Sequence, residues 1–357
     1  MPAFEPFKKN FSSPACLNDL ITSKLYRLAI QRSSFQRAGI FVVCFLLLSW
    51  TMFRFALYII SPGLLASLIV AACTSSLVAQ SSAETPAVLT AQQAIDRIVK
   101  ATGATLPANT VDTIKAGDPD TVVTGIVTTF SPTMEVLRKA VAAGDNLIVS
   151  HEPTFYNHLD DRALFVDDPV YKEKLAYINE HHLVIWRFHD TWHLRRPDGI
   201  AEGFVARAGW KQFENAGPDG EKGFFFTLPP TTVGALAKDL KRKFHARVIR
   251  IVGNPNLKVT KVAYAPGAAG EARQVKALER DDVEVLLVGE IPEWETILYV
   301  RDAAQQGRKK ALILMGHVTS EEAGMENCAT WLKTIFPGMR VDFIPAGEPY
   351  TEAGTRE

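Results

Sequence analysis

Four short apolar runs in this chain each break off at a side chain able to bind a metal ion. Leu147–Ser150 runs into His151 and Glu152, residues 184–188 into His189 and Asp190, residues 283–289 into Glu290, and residues 311–316 into His317. Short apolar runs bounded by polar or turn residues read as buried strands. In open α/β sheets, sites form outside the carboxyl ends of the strands. The recurrence therefore calls for strands that deliver several such ends to one place.

Helix and strand patterns alternate from about Thr90 onward. Residues 91–101 carry Ala94, Ile95 and Ile98 at helical spacing. Residues 122–128 read as a strand, 132–143 as a helix with proline in its first turn, 171–181 as a helix and 199–208 as another. Residues 224–228, 233–244 and 248–252 then read as strand, helix and strand. After these the earlier pattern returns. Residues 259–264 and 285–292 echo 123–128 and 147–153, and in each copy the second strand meets an ionisable residue and then proline. Each copy is followed by a strand ending in histidine, His189 or His317. The repeat predicts an α/β fold of two pseudo-symmetric lobes, about 90–208 and 255–350, with largely parallel sheets. Their strand C-terminal ends face one cleft, and residues 209–254 connect the lobes.

Residues 1–79 have a different character. Lys8, Lys9, Lys24, Arg27, Arg32 and Arg37 precede a largely apolar stretch, 40–73, broken by Arg54 and Pro62-Gly63. One reading is a basic tail and a membrane anchor oriented positive-inside. The preferred reading starts translation at Met52, followed by an apolar core over 55–70 and cleavage near Ala79. Val70-Ala71-Ala72-Cys73 also resembles a bacterial lipobox. A signal peptide would export the mature chain to the cell envelope or periplasm; unused, it leaves the chain cytoplasmic. Residues 80–89 form a polar linker, and 90–350 the folded domain.

Composition narrows the chemistry. Lys+Arg and Asp+Glu both number 39, so no bulk charge draws the chain to nucleic acid. The 4 cysteines lack CxxC spacing, which argues against thiolate zinc or redox sites. All 8 histidines lie between His151 and His317. His317 and Glu321 stand four residues apart; a helix beginning near Ser320, capped by Thr319 or Ser320, would put them at its first turn. His151 and Glu152 are adjacent, and strand neighbours point to opposite faces. At a strand end such a pair suits two neighbouring ions. His189-Asp190-Thr191-Trp192-His193 offers three donors among aromatic residues, where burial is costly unless they are paired or metal-bound. Each cluster alone has an ordinary explanation as a polar strand end or a helix-start acid. Together they point to a shared metal cleft. Imidazole with carboxylate suits Zn, Fe, Mn or Co. Gly267-Ala268-Ala269-Gly270 is a weak candidate for an anion cradle.

The motifs VTGIVTTF, NLIVSHEP, FHDTWH, AYAPGAAG, LLVGEIPEW and GHVTSEEAGM resemble a known family over roughly residues 90–350. It is the NGG-interacting-factor-three-like family of dinuclear metal centre hexameric proteins, the GTP cyclohydrolase 1 type 2 homologues. The resemblance implies two α/β lobes, a toroidal homohexamer and two adjacent divalent transition metals. Matched motif by motif, the implied ligands are His151, Glu152, His193, His317 and Glu321, with Asp190 a rival to His193. Two positions depart from the family pattern. Its second histidine before proline is Glu152 here, and its aspartate ligand is His193. Three imidazoles and two carboxylates remain, so ligand count and charge are kept. The family's Gly-Asp-Ile-x-x-His stretch falls on Gly289–Trp294 and loses its histidine. The resemblance implies a metal-dependent hydrolase acting through a metal-bridging water on a small molecule. His189, Asp190 or Glu290 would serve as base or proton shuttle. The alternative is a non-catalytic oligomeric metal-binding or scaffold protein. Neither reading involves nucleic acid, and membrane contact is confined to the amino-terminal segment.

Overall fold

The computed structural model describes residues 88–351, so the expected signal or anchor and most of the linker lie outside the described residues. Within them stand two sheets. The first has the order β1 (Ile114–Ala116), β4 (Val184–Arg187), β3 (Leu147–Ser150), β2 (Ile126–Thr129) and β11 (Val341–Phe343). All its pairings are parallel except β1 with β4. The second has the order β5 (Glu214–Asn215), β6 (Phe225–Thr232), β8 (Lys258–Ala265), β9 (Val285–Val288), β10 (Ala311–Leu314) and β7 (Arg250–Val252). Its centre, β8–β9–β10, is parallel, and β6 and β7 flank that centre antiparallel.

The internal repeat is visible in this layout. β2, β3 and β4 lie in sequence order, joined through α2 (Met134–Ala143) and α3 (Pro169–Glu180); β8, β9 and β10 do the same through α7 (Glu271–Leu278) and α8 (Thr296–Gln305). Residues 214–252, read from sequence as a connector, supply β5, β6, α6 (Val233–Lys243) and β7, three of them strands of the second sheet. The chain closes by returning β11 to the first sheet.

The central strands β3, β9 and β10 are buried at every residue, on both faces of their sheets, which is why they read as unbroken apolar runs. Leu147 and Val149 enter one core cluster while Ile148 enters the cluster behind; Val285 and Leu287 alternate in the same way with Leu286 and Val288. Helices α5 (Gly199–Ala208) and α9 (His317–Ile335) tie the lobes together. Ile200 of α5 and Met325, Cys328 and Leu332 of α9 pack on the first sheet, whereas Phe204 and Val205 of α5 and Ala323 of α9 pack on the second. The helices cross closely at Gly203 and Gly324, where a Cβ would fall 2.3 Å from the Ala323 carbonyl oxygen and 2.5 Å from Ile200 Cα. Helix ends follow local chemistry: Thr90 forms a capping box for α1 (Ala91–Thr102), Asp198 caps α5, and Gly103, Gly144 and Gly209 take left-handed conformations just past helices. No helix among the described residues is long and apolar enough to cross a membrane.

Candidate metal centre

Strand register brings the singled-out residues together. Ser150 pairs with Arg187 and Thr129, so His151-Glu152 and His189-Asp190 leave the first sheet side by side. Val288 pairs with Ala265 and Leu314, so Gly267, Glu290 and His317 leave the second sheet together. Gly316, at φ 87°, turns the chain from β10 straight into α9. The helix thus begins at His317 rather than near Ser320. His317 and Glu321 then share one face of its first turn, with Nε2 and Oε2 3.1 Å apart. Ser320 does not cap the helix: its hydroxyl donates to the His317 carbonyl and accepts from the Gly267 N–H. That use removes Gly267 N–H from the expected anion cradle.

The donors converge from both lobes. His151 Nε2 lies 3.5 Å from Glu321 Oε2, Glu152 Oε1 lies 3.5 Å from His317 Nε2, and His189 Nε2 lies 3.6 Å from the same Glu152 oxygen. His151, His189 and His193 form one group whose ligand atoms lie within 4.8 Å of one another, and His151, Glu152 and Glu321 form a second. All five residues expected as ligands therefore meet, and His189 stands among them.

A common orientation governs the four imidazoles. His151 Nδ1 faces the Phe188 carbonyl at 3.3 Å, and His189 Nδ1 faces Asp190 Oδ1 at 2.9 Å. His193 Nδ1 faces Asp198 Oδ2 at 2.9 Å, and His317 Nδ1 faces Glu290 Oε2 at 3.4 Å. Each Nδ1 is thus occupied by an acceptor, which leaves Nε2 as the nitrogen free to bind an ion. Ligating histidines are held in this way, the outer partner fixing tautomer and ring direction. Asp190 is itself anchored, its Oδ2 accepting from the Thr110 hydroxyl and the Val111 N–H. Asp112 accepts from the N–H groups of His189, Asp190 and Thr191, fixing the start of the short helix α4 (Asp190–Leu194).

Charge is concentrated here. Burial opposes a charged His317, but Glu152, Glu290 and Glu321 outweigh it and raise its pKa to about 12. Burial likewise opposes charge on His193, and Asp198 overrides it, raising the pKa to about 9. His189 goes the other way, to about 4, through burial and then the neighbouring His151 and His193. Burial pushes the Glu321 carboxyl up, yet His151 and His317 hold it well below its usual range. Glu152 is lowered on the same balance, with His317 and His151 outweighing burial.

The residues present fit metal ions. His151 Nε2 and Glu321 Oε2 are buried and have no hydrogen-bond partner, a costly arrangement for polar atoms unless a further group satisfies them. Imidazole and carboxylate donors together suit a divalent transition metal.

Sequence reasoning missed Arg187, Asp198 and Asp112. The signal for Arg187 was available as a lone cation inside an apolar strand run, and Asp198 was legible as a helix cap. The Phe188 carbonyl leaves no sequence signal.

The sequence profile of the family described as Duf34/NIF3 (NGG1p interacting factor 3) matches residues 95–348. No curated protein matches the chain. Among solved structures, Staphylococcus aureus protein SA1388 aligns with TM-score 0.59 and 18% identity over 74% of this chain and 99% of that one. Protein ybgI, described as of unknown function, aligns with TM-score 0.59 and 16% identity over 73% and 100%. A Bacillus cereus protein related to NIF3 aligns with TM-score 0.56 and 12% identity over 74% and 99%. At these identities the likeness establishes a shared two-lobe α/β fold.

Proposed function

The chain belongs to the Duf34/NIF3 family, and we propose that it is a metal-dependent hydrolase with a dinuclear centre. His151, Glu152, His193, His317 and Glu321 hold two divalent ions of Zn, Fe, Mn or Co, and His189 joins them. The observation that carries this reading is the shared orientation of four imidazoles, each with Nδ1 on an acceptor and Nε2 left for the cluster.

Bound ions would supply Lewis acidity, which lowers the pKa of water and polarises a carbonyl or phosphoryl group through its oxygen. The chain's own residues do the rest. Glu321 and Glu152 bring negative charge that favours cations, and the burial of Glu321 keeps that attraction strong. Asp190, Asp198 and Glu290 hold His189, His193 and His317 in direction. Glu290 is the most exposed of these carboxylates, so it also serves to carry protons between solvent and His317 Nδ1. The substrate is a small molecule.

Self-association into a homohexamer is part of the same proposal. Tyr156, Leu159, Leu164, Val166 and Val170 are exposed along one segment after β3, an apolar surface of the kind that marks contact with another chain. Light scattering of the purified protein checks the assembly. Export through the amino-terminal segment is likewise proposed, and amino-terminal sequencing of the mature chain checks it.

Elemental analysis of purified wild-type protein and His317→Ala, followed by a screen of phosphoesters, nucleotides and cyclic amides, tests the central claim. Bound transition metal lost in His317→Ala, with turnover lost in Glu321→Ala, supports the hydrolase. Metal without turnover points to the non-catalytic binding protein. Absence of metal defeats both.

A further inference from the structure

We propose that Arg187 is a positioning residue of the metal centre, fixing Glu152 so that it offers one oxygen to the ions; the proposal rests on the metal-binding reading above. Arg187 ends β4, and its side chain is buried, at 1% exposure. A guanidinium keeps its charge in a protein, so a buried one must be surrounded by acceptors. Its Nε donates to the His151 carbonyl at 3.1 Å, Nη1 to the His158 carbonyl, and Nη2 to Glu152 Oε2 at 3.3 Å. All three acceptors lie on the segment that leaves β3. One side chain therefore fixes both the backbone that carries His151 and the carboxylate of Glu152.

The two Glu152 oxygens consequently face different ways. Oε2 points at Arg187, while Oε1 lies 3.5 Å from His317 Nε2 and 3.6 Å from His189 Nε2. A free carboxylate binds an ion through one oxygen or both. With Oε2 occupied, Glu152 has Oε1 to give. Asp160 does not take over this task, since its Oδ2 stands 4.0 Å from the guanidinium, beyond hydrogen-bond reach. The forked shape matters as much as the charge. A lysine is a point charge on a flexible stem and does not hold two carbonyls and a carboxylate at fixed angles.

Cobalt(II) titration of the full chain, read by its visible absorption, tests the assignment. Arg187→Lys should weaken cobalt binding about 10–100-fold, as loss of an outer partner does. It should also lower the molar absorbance, because Glu152 can then engage through both oxygens and raise the coordination number. In a Glu152→Ala background the same substitution should cost distinctly less than in wild type, since only the hold on the backbone carrying His151 is then left to lose. Losses that multiply independently in the double variant overturn the proposal, as does an unchanged spectrum in Arg187→Lys. Should Arg187→Lys fail to fold by circular dichroism, Glu152→Asp reads the same geometry. Its shorter side chain keeps the charge but cannot span both Arg187 and the cluster, and it should lose affinity; wild-type binding by it overturns the proposal. A wild-type chain that takes up no cobalt(II) overturns the metal reading and this inference with it. Wild-type binding matched by Arg187→Lys overturns the role of Arg187 alone.

Discussion

His151 Nε2 and Glu321 Oε2 stand 3.5 Å apart, one delivered by a strand of the first sheet and the other by the helix that follows the last parallel strand of the second. Both atoms are buried and have no hydrogen-bond partner. The centre is therefore a joint between the lobes, and occupancy of that joint should register as stability of the whole domain.

Metal should raise the unfolding midpoint of the wild-type protein, and a chelator should lower it. A ligand that binds only the folded state adds about 2.7 kcal/mol at a hundredfold excess over its Kd. Glu321→Ala should abolish the metal-dependent shift. Thermal scans with and without Zn(II) or Mn(II) check this, and an equal shift in the variant contradicts it.

Metal uptake should release protons and strengthen with rising pH. His193, raised to about 9, and His317, raised to about 12, hold protons in the metal-free site at neutral pH, and a cation must displace them. Apparent affinity should climb from pH 6 to about 9 and flatten for His193 beyond it. Both pKa values lie above the ordinary 6.5, so on their account the metal-free fold is stabilised below that pH and loses this contribution as pH rises through about 9 and then 12. Calorimetry in buffers of different ionisation enthalpy measures the proton count.

The two positions expected to depart from the family pattern come with their own partners. Glu152 meets Arg187, and His193 meets Asp198 at 2.9 Å. Restoring a carboxylate with His193→Asp would set it near Asp198, and like charges at a shared site disfavour each other. The single variant should bind metal at least about 10-fold more weakly. His193→Asp with Asp198→Asn should recover much of that loss, since asparagine still caps α5. Equal binding by the single and double variants would sink the pairing.

The strand ends were legible because strands buried on both faces read as unbroken apolar runs, and a charged residue stopping such a run stands out. Leu147–Ser150 before His151 and Ala311–Leu314 before His317 are of this kind. The start of α9 was misplaced because Ser320 reads as a cap, whereas Gly316 makes the turn and Ser320 bonds Gly267 and the His317 carbonyl. The sheet membership of residues 214–252 depends on antiparallel pairing of β6 with β8, a tertiary choice that local pattern does not encode. β11 has only three residues and carries too little pattern to be read. Nor does sequence announce a backbone carbonyl such as that of Phe188 as the acceptor for His151.

Gly267→Ala should strip metal while leaving the fold largely intact. Gly267 has φ +59°, and a Cβ there would fall 2.3 Å from Glu321 Oε1 and 3.0 Å from His317 Nε2. The backbone strain costs about 1–2 kcal/mol, and the clash falls on side-chain ends that can swing aside. Elemental analysis beside far-UV circular dichroism separates the two effects; full metal content in Gly267→Ala contradicts the expectation.

The crossing of α5 and α9 sets the distance between the two halves of the centre. Asp198, which caps α5, holds His193, and Glu321 lies three residues before Gly324 on α9. A Cβ at Gly324 would meet Ile200 Cα at 2.5 Å, and backbone on a packed helix cannot yield as a side-chain tip can. Gly324→Val should therefore drive the helices apart. Overpacking of this kind costs about 1–3 kcal/mol, a fall in midpoint of roughly 2–12 °C for a domain of this size. Metal affinity should fall with it, because Glu321 moves relative to His151 and His193. Thr330→Ala, on the exposed side of the same helix, should change neither quantity. If Gly324→Val lowers the midpoint yet binds metal as tightly as wild type, the crossing supports the fold without setting the site, and the two lobes position their donors independently.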